Sequence, residues 1–208
     1  MRICESFKSI QGEGKKIGIP TYFIRTVGCN LNCAWCDTQY ASLERGTDIP
    51  LDNIMAMVGN CNDVCLTGGE PLLQKDTIEL LERLLNSNKT IVLETNGSID
   101  ISQVPASDNI IISMDIKCPS SQMESKTNFS NIDTLREKDQ LKFIINGGTD
   151  FDYSVYIIDK YKPQCESIFT PVGGMDIEPL AEEVIASDLN VRVLPQLHKI
   201  IWGNKRAV

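Results

Sequence analysis

Apolar runs recur along the chain, and helix-like stretches fill the gaps between them. TYFIRTV (21–27), DVCLTG (63–68), TIVLETN (90–96), IIISMDI (110–116), LKFIIN (141–146), ESIFTP (166–171) and VRVLP (191–195) are rich in Val, Ile, Thr and aromatic residues. Most end at Gly, Asn or Pro, and they read as strands. Several are nearly continuous in apolar residues, as strands buried on both faces are. In KDTIELLERLLNSN (75–88), Ile78, Leu81, Leu84 and Leu85 share one helical face, while Glu79, Glu82 and Arg83 point away. Asp76 with Glu79 three residues on has the spacing of a capping box. LDNIMAMVG (51–59) and DIEPLAEEVIASD (176–188) predict two more helices, and residues 150–161 a weaker one. Residues 117–140 are polar and poorly periodic, which predicts a loop or a short insertion.

This alternation predicts βα units and a mostly parallel sheet in a single domain, 1–208. Fewer than eight units fit, so the expected fold is α/β, a partial (incomplete) β/α barrel or an open sheet.

Of the 208 residues, 42% are hydrophobic, enough for a substantial core. No run of about 18 apolar residues is present, so no membrane span is expected. The start, MRICESFKSIQGEG, has neither an apolar h-region nor a cleavage site, and does not read as a signal peptide. The expected location is cytoplasmic. Twenty basic residues against 28 acidic ones give a net charge of -8. A groove that grips many phosphates needs a basic excess, so nucleic acid is not the expected partner.

The candidate chemistry begins at CNLNCAWC, which places Cys29, Cys33 and Cys36 within eight residues. In a reducing compartment such spacing marks a metal or redox site rather than a disulfide framework. Structural zinc wants four ligands, and the only histidine, His198, is far away in sequence. A [4Fe-4S] cube held by three thiolates leaves one iron open to a substrate or cofactor. A zinc knuckle completed by Cys61, Cys65 or Cys118 is the alternative that spacing leaves open. Cys65 lies mid-strand, where a free cysteine behaves as a small hydrophobe. Cys4, Cys61, Cys118 and Cys165 read as ordinary core or loop thiols. Downstream, LTGGEP (66–71) puts a Gly-Gly-Glu turn at a strand end, where two glycines let backbone approach a ligand closely.

With these two motifs in sequence, the chain resembles the radical S-adenosylmethionine (SAM) enzymes. The resemblance implies a [4Fe-4S] cluster on Cys29, Cys33 and Cys36, with SAM on the fourth iron. It implies that Gly68, Gly69 and Glu70 contact the SAM amino group. Reductive cleavage of SAM then gives a 5'-deoxyadenosyl radical that abstracts a hydrogen atom, in a site that must exclude water.

Further segments are more specific: SIQGEG (9–14), FIRTVGCNLNCAWCDT (23–38), LETNG (93–97), SMDIKCPSS (113–121) and VRVLPQLHKIIWGNKRAV (191–208). Together they resemble the 7-carboxy-7-deazaguanine synthase family, from about Ile3 to Val208 and most weakly over 120–165. That family is a group of carbon–nitrogen lyases in 7-deazapurine (queuosine and archaeosine) biosynthesis. The resemblance implies 6-carboxy-5,6,7,8-tetrahydropterin as substrate, regenerated SAM, an assisting Mg2+, a one-electron reductant of flavodoxin or ferredoxin type, and a homodimer.

Residue by residue, it implies that Gln11, Gly12, Glu13, Gly14 and Arg25 hold the substrate; a guanidinium suits the carboxylate because its planar fork pairs bidentately. Glu94 accepts the pterin's N–H donors, and His198 and the terminal carboxylate of Val208 are further contacts. Thr38 ligates magnesium with Asp37 alongside, and Thr67, Ser113 and Lys117 line the SAM or substrate pocket. A glutamine expected after the sixth strand is not apparent near Pro171. Two rivals remain at this point: an activase that makes a glycyl radical in a partner enzyme, and a non-enzymatic zinc-binding module.

Overall fold

The computed structural model describes residues 1–208. Its strands are β1 (Arg2–Ile10), β2 (Pro20–Thr26), β3 (Thr47–Asp48), β4 (Asp63–Gly68), β5 (Thr90–Thr95), β6 (Ile110–Ile116), β7 (Gln140–Ile145), β8 (Glu166–Pro171) and β9 (Arg192–Val193). Its helices are α1 (Gln39–Leu43), α2 (Leu51–Val58), α3 (Thr77–Asn86), α4 (Gly148–Tyr161), α5 (Glu178–Ala186) and α6 (Leu197–Trp202). The strands form one open sheet in the order β3-β1-β2-β4-β5-β6-β7-β8-β9. Pairing is parallel from β2 to β9, and β1 runs antiparallel to β2 and β3. The partial barrel is therefore an open, mostly parallel sheet. No helix is long and apolar enough to cross a membrane.

The sheet has two chemically different faces, because side chains alternate along each strand. Ile24, Val64, Leu66, Ile91, Leu93, Met114, Leu141, Phe143 and Phe169 join one core cluster. Ile54 and Val58 of α2, Leu80, Leu81 and Leu84 of α3, Phe151 and Ile157 of α4, and Leu180 and Val184 of α5 belong to the same cluster. The alternate residues lie on the other, polar face: Arg25 is in register with Thr67, Glu94 with Ser113, Ser113 with Gln140, and Asp115 with Lys142. Burial of both faces in the same apolar manner is thus corrected. One face is a core and the other is a cavity wall.

Two local expectations also change. Asp76 precedes α3 but makes no capping hydrogen bond; it pairs instead with the Met1 ammonium at 2.9 Å. Leu80 joins Leu81 and Leu84 on the buried face of α3, while Ile78 and Leu85 are only partly buried. β1, β3, α1 and α6 were not anticipated. Residues 117–140 hold three short 3-10 turns.

The segment after β9 crosses from that edge back to β1. The Leu197 amide donates to the Gly12 carbonyl at 2.9 Å, Arg206 pairs with Glu44 at 2.8 Å, and the Val208 oxygen accepts from the Ser9 hydroxyl. This strap covers the side that the open sheet leaves uncovered.

Candidate active site

The polar face of the sheet lines a cavity of about 800 Å³. Its upper end lies at the carboxyl ends of the parallel strands, where loops collect functional groups in open α/β sheets. The loop after β2 brings Cys29, Cys33 and Cys36 to this end, and the turn after β4 brings Gly68 and Gly69. A Cβ at Gly69 would overlap the Gly28 carbonyl and crowd the Cys29 side chain. Only glycine lets the two loops meet this closely.

The thiols sit among polar hydrogens. Cys29 Sγ accepts from the Leu31 amide at 3.4 Å and from Asn96 Nδ2 at 3.6 Å. Cys36 Sγ lies 3.7 Å from Thr38 Oγ1. Burial pushes the Cys33 thiol up, and the nearby Lys117 ammonium opposes this. No three Cys, His, Asp or Glu side chains converge on a point as ligands of one ion do. An iron–sulfur cube asks for something different, three thiolates spread around a body with one iron each, and three thiols along one loop at a cavity rim fit that demand. The zinc alternative loses its fourth ligand: Cys61 donates to the Asp63 carbonyl, and Cys118 is buried against Ile116 and Ser154. Cys65 lines the cavity floor as a buried thiol, its pKa raised by burial and then by Glu94.

Glu70 is turned away from the cavity. Its oxygens accept from the Leu72 amide at 3.0 Å, the Thr95 hydroxyl at 3.0 and 3.1 Å, and the Asn96 amide at 2.7 Å. It is fully buried and does not line the cavity, so its carboxylate meets the protein's own donors. Its work is to lock the end of β5 to the glycine turn. Ser113 is likewise fully buried beneath the cavity, where its hydroxyl accepts from Gln140 Nε2 at 2.7 Å. Gly14 packs against the same glutamine and does not line the cavity.

On the same wall the carboxylates gather around one ammonium. Lys142 Nζ lies 2.8 Å from Glu13, 2.7 Å from Glu94 and 3.4 Å from Asp115. The last is near enough for attraction but is not a hydrogen bond, and Asp115 Oδ1 is left without a partner. Lys117 pairs with Asp115 at 2.8 Å and sits over the Trp35 ring. Burial works against ionisation at Glu13, but Lys142 outweighs it and holds that carboxyl down at about 2. At Glu94 burial wins: its pKa is raised, with Glu13 and Asp115 adding repulsion that Lys142 only partly offsets.

Other groups are free to bind something. Gln11 Nε2 is buried with no partner, which is costly unless a ligand accepts from it. Arg25 gives its Nε to Glu5 at 2.8 Å, and its terminal nitrogens make no hydrogen bond within the protein. His198 lines the cavity against Gly12, its pKa lowered by burial. Thr67, Lys117, Thr38 and Val208 line the cavity too. Asp37 is exposed and paired with Lys199 at 2.9 Å. Pro171 lines the cavity, and so does Gln196, which donates to Glu13 at 2.7 Å.

Of the residues that the family resemblance assigned to cluster, SAM, substrate or magnesium, only Gly14, Glu70 and Ser113 fall outside the lining. Sequence reasoning missed Lys142, Asp115 and Asn96. The signal for Lys142 and Asp115 was a polar residue at the strand position that alternates with the core; Asn96 lies just past β5, in the LETNG segment.

Comparison with known proteins agrees with this geometry. The Radical SAM superfamily matches residues 23–182. A 7-carboxy-7-deazaguanine synthase of Thermoplasma acidophilum is 41% identical over 98% of this chain and 98% of its own length. One of Methanospirillum hungatei is 39% identical over 97% of this chain and 85% of its own length. The crystal structure of QueE from Escherichia coli shares the fold, with a TM-score of 0.73 at 23% identity over 92% of each chain. The chain is a radical SAM protein and belongs to the family of 7-carboxy-7-deazaguanine synthases.

Proposed function

We propose that the cavity converts 6-carboxy-5,6,7,8-tetrahydropterin to 7-carboxy-7-deazaguanine with release of ammonia, in 7-deazapurine biosynthesis. One observation carries this reading: a single cavity joins the three-cysteine rim to Arg25, Glu94 and the unpartnered Nε2 of Gln11. When bound, the cluster and SAM supply a 5'-deoxyadenosyl radical that abstracts the C6 hydrogen.

The chain's own residues then bind and orient the substrate. The free end of the Arg25 fork takes the carboxylate. Glu94 accepts from the pterin's amino and ring N–H groups, and Gln11 donates to a ring acceptor. Glu13 and His198 flank the same ring system. Gly68, Gly69, Thr67 and Lys117 line the space for SAM. The strap from α6 to Val208 helps exclude water, which protects a reactive radical. Thr38 has no capping hydrogen bond and its hydroxyl meets only Cys36 Sγ, at 3.7 Å, so its lone pairs can serve Mg2+, an ion that keeps several waters and needs few protein oxygens.

The reading extends to one functional domain over 1–208, a flavodoxin- or ferredoxin-type reductant, a homodimer and a cytoplasmic location. Anaerobic turnover of carboxytetrahydropterin with SAM and a reductant, followed by mass spectrometry, tests it. The product should be 7-carboxy-7-deazaguanine, with SAM regained; SAM cleavage without substrate conversion overturns the reading.

A further inference from the structure

Lys142 is the only cation in contact with either Glu13 or Glu94. Its side chain is 6% exposed. The groups that face it come from several elements: Glu13 from the turn after β1, Cys65 from β4, Glu94 from β5, Asp115 from β6 and Lys117 just after it. His198 of α6 lies beyond Glu13. Its register partner on β8 is the uncharged Ile168. Lys117 is committed to Asp115 and Trp35. Without Lys142, two partly buried carboxylates, 21% and 16% exposed, would face the cavity with no cation touching them. Like charges that close do not both stay ionised, and one takes up a proton. A protonated Glu94 gains a donor and loses part of its acceptor capacity, which is the wrong polarity for a ligand edge made of N–H groups.

We propose that Lys142 is a positioning residue for substrate recognition, holding Glu13 and Glu94 in place together as a pair of carboxylates so that Glu94 meets the substrate as a pure acceptor. The inference rests on the pterin reading above. Lys142 need not touch substrate; it acts through the two glutamates.

The test uses anaerobic, cluster-loaded protein and the unreactive oxidised ligand 6-carboxypterin. Its affinity is measured by equilibrium dialysis across the acidic to neutral range for the wild type, Lys142→Arg and Lys142→Met. In the wild type, affinity should fall on acidification as Glu94 takes up a proton. Lys142 favours the ionised form, so its removal should move that fall upward by about one pH unit or more, a tenfold loss at a fixed pH on the limb. Lys142→Arg, which keeps the charge, should leave the limb within a few tenths of a unit of its place. A loss of affinity in Lys142→Met that is equal at every pH marks a merely structural role and overturns the proposal.

If Lys142→Met does not fold, Lys142→Met with Glu13→Gln removes one charge of each sign. Its limb should lie above that of Glu13→Gln alone, and coincident limbs overturn the proposal. Failure of the wild type to bind carboxypterin would sink the functional reading instead. Lys142 is then judged without ligand, by infrared titration of the protonated carboxyl band assigned with Glu94→Gln. That band should persist to higher pH in Lys142→Met than in the wild type, and an unmoved band overturns the proposal.

Discussion

The Glu70 carboxylate accepts the backbone N–H of Asn96 at 2.7 Å, and Asn96 in turn donates its side-chain amide to Cys29 Sγ at 3.6 Å. The glutamate of the glycine turn therefore reaches the cysteine loop through the end of β5. An N–H donated to a cluster sulfur stabilises the reduced, more negative state and raises the potential. Asn96→Leu should keep the iron content near wild type and shift the cluster midpoint negative in an EPR-monitored redox titration. Glu70→Gln places an amide against groups that are themselves donors. It should cost about 1–3 kcal/mol of stability, read from the denaturation midpoint. An unmoved potential in Asn96→Leu would show that the contact to Cys29 has no electronic consequence.

The cysteines divide by environment. Cys29, Cys33 and Cys36 line the cavity rim on one loop, whereas Cys65 is buried in the sheet 1% exposed and Cys118 is fully buried. Cys65 sits within β4, and Cys118 is held against the Ile116 carbonyl and the Ser154 hydroxyl, so neither shares the loop that carries the three rim thiols. Alanine at any of the three rim positions should abolish cluster assembly and SAM cleavage. Cys65→Ala should retain iron in a folded protein; loss of iron there would reassign the ligand set.

How much of this was legible in the sequence depends on which face of a strand carried the signal. The strands of the parallel sheet were readable from their β-branched runs, because the core face repeats Ile, Leu and Val through β4, β5 and β6. The same runs hid the cavity. In LKFIIN and SMDIK, Lys142 and Asp115 read as isolated polar residues, yet alternation places them in register on the concave face. β1 was missed because RICESFKSI has only one residue in the core, Ile3, and turns Glu5, Phe7 and Ser9 towards the cavity. α6 was missed because it is only six residues long: Leu197, Ile200 and Ile201 have helical spacing, but a single turn and a half is too short for periodicity to declare a helix. Local motifs could announce the cysteine loop and the glycine turn. Only the tertiary pairing could show that Glu70 points away from the cavity they form.

Arg25 is shared between structure and recognition. Its pairing with Glu5 is nearly buried, with side chains 15% and 11% exposed, and Tyr40 also donates to Glu5 at 2.9 Å. Lysine at this position keeps the charge but loses the fork. Arg25→Lys should bind carboxypterin at least tenfold more weakly, about 1.4 kcal/mol, with uncoupled SAM cleavage retained. A parallel loss of both activities would point to disturbance of the Glu5 pair.

Thr38 precedes α1 without capping it, so replacement of its hydroxyl should leave the helix intact. Under the magnesium reading, Thr38→Ala keeps the cluster and blunts the rise of turnover with Mg2+. A titration of turnover against Mg2+ at constant ionic strength checks this. A response equal to wild type would place the ion elsewhere.

Gly12 and His198 test whether the strap shapes the site. The Gly12 carbonyl accepts from the Leu197 amide at 2.9 Å, and a Cβ at Gly12 would overlap the His198 ring. The ring makes no hydrogen bond of its own, so packing alone holds it, and an added methyl should push it out of position. Overpacking of this kind costs about 1–3 kcal/mol. Gly12→Ala should therefore weaken carboxypterin binding about as much as His198→Ala does. Two groups that act through one contact do not add, so the double variant Gly12→Ala with His198→Ala should bind no worse than the weaker single variant. Isothermal titration of the four proteins gives the coupling. If the two losses add in full, Gly12 affects binding by a route other than His198, such as the adjoining Gln11, and the strap does not set the histidine.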